Sequence, residues 1–172
     1  MIQNLMAYEE AGYKVVHKGE NFEIRYYEER IVIQTRYESG NSGFRKLFNY
    51  ISGQNQGGKK IEMTTPVTEL QDDNQMVMQF YLPARFNASS APLPADNSLE
   101  IATIDAGYFA VIQYSGFASN KNFYKHAQIL KSSLDRDNIE ISSQPIKATY
   151  DGPFTLPNLR RNEAMYLVLW DN

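Results

Sequence analysis

The chain has no cysteine among its 172 residues, and it has only two histidines. Without cysteine, disulfide bonds, thiolate metal sites and cysteine nucleophiles are excluded. His17 and His126 are far apart, and neither has a carboxylate at metal-ligand spacing, so we expect no zinc or di-iron site. A G-x-S-x-G motif is also absent, and the adjacent acids Glu28 and Glu29 would point to opposite faces of a strand. The residues favour a binding protein over an enzyme.

Long hydrophobic runs and blocks of one charge are absent as well. The net charge is -3 and the 17 Lys and Arg residues are scattered, so we expect no nucleic-acid partner. The first residues, MIQNLMAYEEAGYKV, contain no basic leader with an apolar core and no membrane span, which favours a cytoplasmic location. A 42% hydrophobic content with nine Phe and twelve Tyr can fill a large core. We therefore expect one globular domain over residues 1–172, and a monomer.

The sequence contains an internal repeat. A shift that places Val32-Ile33-Gln34 on Val111-Ile112-Gln113 also places Phe44 on Phe123. Both copies have an apolar strand, a polar break and then an amphipathic helix. We therefore predict two equivalent units, about residues 22–82 and 98–170. They are joined by a linker, residues 83–97, rich in Ala, Ser, Asn and Pro.

Each unit has one predicted helix. Asn41 or Ser42 is the predicted N-cap of the first helix and Gly53 its end, with an apolar face made of Phe44, Leu47, Phe48 and Ile51. Ser119 or Asn120 is the predicted N-cap of the second helix, whose apolar face is made of Phe123, Ala127, Leu130 and Leu134. Because these faces avoid water, each helix should cover one face of a sheet.

The remaining apolar segments predict strands. They span residues 22–28, 31–37, 60–69, 75–82, 98–105, 107–115, 145–150 and 163–170. Pro66, inside the third of these, indicates an edge strand or a bulge. The predicted fold is α+β, a sheet or distorted barrel with two helices packed outside it.

Three features could carry chemistry, and each has a structural alternative. His126 could be an axial ligand of a metal cofactor, but a helix-flank histidine bonded to a carbonyl or water is favoured. The Gly57-Gly58 loop follows a helix rather than opening one, so a turn is favoured over a phosphate site. Arg160 and Arg161 could bind the carboxylates of a ligand, but pairing with neighbouring acids to close a turn is favoured.

Short segments along the chain follow an order found in a known family. They are FEIRYY (22–27), YISGQN (50–55), MTTPV (63–67), FYLP (80–83), YSGFA (114–118), YDGP (150–153) and RNE (161–163). In this order the chain resembles the SOUL heme-binding family over almost its whole length, from residue 13 to 169. The resemblance implies a distorted β-barrel of two pseudo-symmetric units flanked by two α-helices. It also implies noncovalent binding of heme or another tetrapyrrole, because covalent c-type attachment needs cysteine.

By resemblance, the tetrapyrrole site lies on the outward part of the first helix and beside the loop before the last strand. This maps to Phe44 and Phe48 as contacts of the ring, with Tyr150 and Phe154 across from them.

The polar part of this implied site departs from the family. Positions where family members can carry basic side chains for the propionates are Asn41 and Asn49 here. We expect weaker propionate binding, since a neutral hydrogen bond contributes about 1 kcal/mol and a charge-assisted one about 1.5–3 kcal/mol. Arg45, Lys46 or Arg160 could substitute. The strand region of residues 33–36, where some members carry a proposed axial histidine, contains none.

Three functions remain open at this point. The first is a carrier, buffer or sensor of a tetrapyrrole. The second is a sensing or interaction module that binds another amphipathic small molecule or a partner's helix in the same groove. The third, ranked last, is an enzyme acting on tetrapyrroles, for which only His126 or a tyrosine offers a ligand or acid.

Overall fold

The computed structural model describes residues 8–38 and 42–171, in which the chain forms two α-helices and eleven strands. The helices are α1 (Ser42–Ile51) and α2 (Asn120–Arg136). The strands are β1 (Glu9–Glu10), β2 (Tyr13–Lys18), β3 (Glu23–Tyr27), β4 (Arg30–Tyr37), β5 (Thr64–Thr65), β6 (Val67–Asp72), β7 (Gln75–Tyr81), β8 (Leu99–Ile104), β9 (Gly107–Tyr114), β10 (Ile146–Thr149) and β11 (Asn162–Val168).

Nine of these strands form one antiparallel sheet in the order β2-β3-β9-β11-β10-β6-β7-β4-β8. The sheet curls into a half-barrel, and both helices pack on its outer face, α1 on β4 and β7, and α2 on β9 and β11. This confirms the predicted α+β class and the distorted barrel flanked by two helices. On either side of the central β10-β6 pair the order is matched, with β3-β9-β11 on one side and β7-β4-β8 on the other. A common origin of the two halves stays a prediction.

The sheet separates two kinds of core. Along β9, Ala110 and Ile112 pack under α2, whereas Phe109 and Val111 point into the half-barrel beside Tyr27. This is the alternation that a strand buried on both faces requires. A third cluster fills the space under α1.

Most predicted strands match to within two residues, but segment 60–69 does not. It is divided at Pro66 into β5, which pairs with β1, and β6, which lies between β10 and β7. The prediction of an edge strand or a bulge is therefore wrong. Proline has no N–H to donate to a ladder, so the strand breaks there and the two parts join different sheets. Strands β1 and β2 were not predicted, because the residues of 13–18 are exposed or only partly buried and show no clear alternation.

Two predicted helix ends are confirmed, the start of α2 and the end of α1. The Ser119 hydroxyl accepts a hydrogen bond from the Asn122 N–H at 3.2 Å. Gly53, with a φ of 120°, ends α1 by donating its N–H to the Tyr50 carbonyl. Asn41 lies outside the described residues. In the ranges that are described, no helix is long and apolar enough to cross a membrane.

Candidate functional site

The outward face of α1 carries two phenylalanines. The rings of Phe44 and Phe48 are nearly parallel, with an interplanar angle of 13° and centroids 6.1 Å apart, and their exposed fractions are 43% and 47%. Phe44 also rests edge-on against Phe80 of β7, at 5.2 Å. The structure therefore presents a half-exposed aromatic pair on the outside of the sheet.

The other side of α1 is buried against the sheet and the linker. Its fully buried side chains are Leu47 and Tyr50, with Ile51 nearly so, and the predicted buried positions Phe44 and Phe48 are turned outward. The Tyr50 hydroxyl donates to the Pro92 carbonyl at 2.6 Å, and Ala91 of the same linker joins the core under α1. The stripe predicted from periodicity was thus half wrong, because only Leu47 and Ile51 of its four residues are buried.

Polar groups border the aromatic pair. Arg45 is exposed and has no ion pair to any described residue. The Lys46 ammonium donates to the Ser98 hydroxyl at 2.9 Å. Asn49 is partly buried, and its backbone carbonyl accepts the Gln54 N–H that helps to end the helix. Arg45 is the basic group here that can turn to a ligand without losing a partner.

Tyr150 lies on the other side of the sheet. Its hydroxyl donates to Glu163 at 2.9 Å, and the Arg161 guanidinium lies 3.8 Å from the centre of its ring. Burial, followed by the charge of Glu163, raises the pKa of Tyr150 far above its ordinary value. The hydroxyl is therefore neutral at pH 7 and held as a donor inside the half-barrel.

The centre of this inner network is Glu163, which is fully buried. Arg25 binds it through two hydrogen bonds of 3.0 Å, and Arg161 binds the same carboxylate at 2.9 and 3.1 Å. Arg161 also reaches Glu10 at 2.9 Å. The predicted pairing with neighbouring acids is confirmed for Arg161 but not for Arg160, which bonds to backbone carbonyls. The Arg25–Glu163 pair was missed; a charged residue inside an otherwise apolar strand was its one signal.

Phe154 and Arg160 belong to the loop before β11. Phe154 is 98% exposed. The Arg160 guanidinium donates to the carbonyls of Thr155 and Pro153 at 2.7 and 2.8 Å, so it closes the loop. The structure thus brings Phe44 and Phe48 together on α1, and places Tyr150 inside the half-barrel and Phe154 on a separate loop.

His126 lies on α2. Its Nδ1 is 2.8 Å from the Asn122 carbonyl oxygen, and its ring stacks on Tyr114 with centroids 4.0 Å apart. This is the carbonyl-bonded helix-flank histidine that was predicted. A role as an axial ligand stays a prediction.

A second concave region opens at the end of the half-barrel, beside the β3–β4 turn. This cavity has a volume of about 500 Å³ and is lined by Tyr13, Tyr26, Tyr81, Leu82, Phe86 and the turn residues Glu28 and Glu29, among others. None of its lining residues belongs to α1. The described residues therefore offer two different places for a small molecule.

Comparison with known proteins gives a consistent result. The family model described as SOUL heme-binding protein matches residues 8–167. Heme-binding protein 1 of Xenopus laevis is 29% identical over 173 aligned positions, which cover 90% of this chain and 89% of that protein. Heme-binding protein 2 of Homo sapiens is 26% identical, covering 86% of this chain and 78% of that protein.

Among solved structures, the C-terminal domain of EcmrR has a similar fold. The TM-score is 0.63, at 16% sequence identity, over 91% of this chain and 98% of that domain. At this identity the likeness concerns the fold alone.

Proposed function

The chain belongs to the SOUL heme-binding protein family, and on that premise we propose that it binds heme or another tetrapyrrole noncovalently on the outward face of α1. Its role would be that of a carrier, buffer or sensor rather than an enzyme. The observation that carries the proposal is the half-exposed pair of Phe44 and Phe48. Two parallel rings kept out of the core offer an apolar surface to a flat ligand.

The aromatic pair alone gives only part of the affinity. Full burial of a phenylalanine contributes about 1.5–3 kcal/mol, so covering two half-exposed rings yields about 2–3 kcal/mol. Micromolar binding requires about 8 kcal/mol. The remainder must come from the rest of the porphyrin surface and from its two propionates.

Arg45 is the proposed partner of one propionate, because it is basic, exposed and next to Phe44. Asn49, one helical turn further, adds a neutral donor. Asn41 keeps its proposed role at the start of the helix, outside the described residues. Phe154 is proposed as an apolar contact from the loop before β11. Tyr150, which the resemblance also implied, lies on the other side of the sheet with its hydroxyl bound to Glu163, so it takes no part in a site on α1.

Stacking and propionate contacts, rather than an axial bond, form the proposed basis of binding. The residues of α1 are SGFRKLFNYI, which include no histidine or methionine, and its one tyrosine, Tyr50, is fully buried. When bound, heme would supply its own iron chemistry, and the residues named here would hold and orient it.

A titration with hemin, followed at the Soret band, tests the proposal. We expect saturable one-to-one binding by the native protein and at least a tenfold loss in Phe48→Asp, because a charge replaces the apolar contact. Leu93→Asp is the matched control, since Leu93 is also exposed, at 61%, but lies in the linker. Equal affinities of the two variants would overturn the assignment of the site to α1.

The cavity beside the β3–β4 turn supports a second candidate, the sensing of another amphipathic small molecule. Its volume suits a drug-sized ligand, and its aromatic lining suits an apolar body. Ala84→Trp would fill this cavity without touching α1. Hemin binding that is lost in Ala84→Trp and kept in Phe48→Asp would favour the cavity. Absence of hemin binding in the native protein would favour a different ligand.

A further inference from the structure

Four large, exposed apolar side chains lie on the loop before α2 and the loop before β11. We name them the loop patch. Their exposed fractions are 65% for Phe117, 98% for Phe154, 62% for Leu156 and 68% for Leu159. Scattered exposed hydrophobic residues are ordinary, but a group of four on two neighbouring loops marks a surface that contacts something apolar.

The loops that carry the patch are bound to each other. The Gly116 N–H donates to the Pro157 carbonyl at 2.8 Å, and the Asn162 side chain donates to the Gly116 carbonyl at 3.0 Å. The two bonds from Arg160 to the carbonyls of Thr155 and Pro153 hold the loop before β11 from within. One backbone bond and three side-chain bonds therefore hold the loops from which the patch projects.

The segments that carry the loop patch are basic. Residues 114–134 and 152–162 contain no Asp or Glu, although the chain has 20 acids and 17 bases. The acids beside these segments, Asp151, Glu163 and Glu10, are bound to Arg161. Lys121 and Lys125 are exposed on the first turns of α2, with no ion pair to a described residue. Unpaired positive charge therefore flanks the patch.

We propose that the loop patch docks on the surface of a bilayer that contains anionic lipids. Apolar side chains flanked by lysines are the composition of interfacial anchors, in which phenyl and leucyl groups enter the acyl boundary and lysines meet the headgroups. The positive flank gives the surface a charge complementary to anionic headgroups. The loop patch shares Phe154 with the proposed tetrapyrrole site, whereas Phe117, Leu159 and the lysines take no part in that site.

Sedimentation with phosphatidylcholine vesicles, with and without phosphatidylserine, tests the proposal. We expect binding to the vesicles that contain phosphatidylserine and a loss of about tenfold in Leu159→Asp, since a leucine contact removed from the boundary is worth more than 1.4 kcal/mol. Leu93→Asp is again the matched control and should bind as the native protein does. Equal binding by Leu159→Asp and Leu93→Asp would overturn the proposal.

A second pair of variants tests the lysines beside the loop patch. Lys121→Glu should weaken binding by about fivefold or more, since one basic residue near an anionic surface contributes on the order of 1 kcal/mol. Lys18→Glu, an exposed lysine outside the patch, should change binding much less. Equal effects of the two variants, or no vesicle binding at all, would refute the lipid proposal. The loop patch would then be assigned to contact with a protein partner. Hemin titration of Leu159→Asp separates the two proposals, because tetrapyrrole binding on α1 should persist in that variant.

Discussion

The two helices of the protein occupy positions that the predicted repeat makes equivalent, but they bury different residues. Phe44 of α1 is 43% exposed, whereas its counterpart Phe123 in α2 is 5% exposed. Phe48 of α1 is 47% exposed, whereas its counterpart in α2 is the buried Ala127. The second helix follows its predicted stripe and the first does not.

The two helices also differ in the contacts of their buried sides. The linker after β7 reaches α1, where the Pro92 carbonyl accepts the Tyr50 hydroxyl. On α2, Ser133 bonds to Asn21 near the start of β3, at 2.9 Å. The buried residues Leu47 and Tyr50 of α1 match Ala127 and Leu130 of α2, one residue away from the alignment of Phe44 with Phe123. The apolar face of α2 is therefore buried in the core, while part of the apolar face of α1 is left exposed.

The largest expected effect is on the free energy of unfolding. Phe123→Ala should lower it by about 3–5 kcal/mol, because it leaves a cavity in the core under α2. Phe44→Ala should lower it by about 1 kcal/mol, since that ring is nearly half in water already. Urea unfolding of both variants measures the difference. Similar losses would mean that the two helices are packed alike, against the structure.

A smaller loss in the free energy of unfolding is expected when one residue of α1 is placed at the corresponding position of α2. Ala127→Phe places on α2 the residue that α1 carries at Phe48, but the site is buried and filled. Overpacking should lower the free energy of unfolding by about 2 kcal/mol. Phe48→Ala, the reverse change on α1, is the control and should cost less than half as much. An Ala127→Phe variant of native stability would show that α2 has room to rotate as α1 does.

Local rules explain what the sequence could predict. Alternation located β3, β4 and β7 to within about one residue, and cap residues located Ser119 and Gly53, because these signals act over a few residues. The aromatic pair on α1 was found through the family resemblance, with no local signal that it would be exposed.

Contacts between distant residues explain what could not be predicted. The buried side of α1 bonds to the linker through Tyr50 and Pro92, which are 42 positions apart, and the inner network joins Arg25 to Glu163 across 138 positions. Periodicity carries no information on either pair. Pro66 illustrates a third limit, since it showed that a strand must be interrupted but not that the halves enter different sheets.

The smallest expected effect on the free energy of unfolding concerns two buried tyrosine hydroxyls, one on each side of this comparison. The hydroxyl of Tyr50, on the buried side of α1, donates to the Pro92 carbonyl. The hydroxyl of Tyr114, which lies in the core under α2, is buried with no hydrogen-bond partner among the described residues. Tyr50→Phe should therefore lower the free energy of unfolding by about 1 kcal/mol at pH 7. Tyr114→Phe should leave it unchanged or raise it slightly, because it removes a hydroxyl that burial alone destabilises. Urea unfolding at pH 7 measures both.

Urea unfolding at alkaline pH provides a control for the Tyr114→Phe variant. Burial raises the pKa of Tyr114 to about 12 from an ordinary value of 10.0, so below pH 10 the group is protonated in both the folded and the unfolded chain. Between pH 10 and 12 the unfolded chain loses the proton first, and stability falls as the pH rises. Tyr114→Phe should lack this part of the decline and become more stable than the native protein near pH 11. An unchanged alkaline slope in Tyr114→Phe would mean that this hydroxyl has access to water.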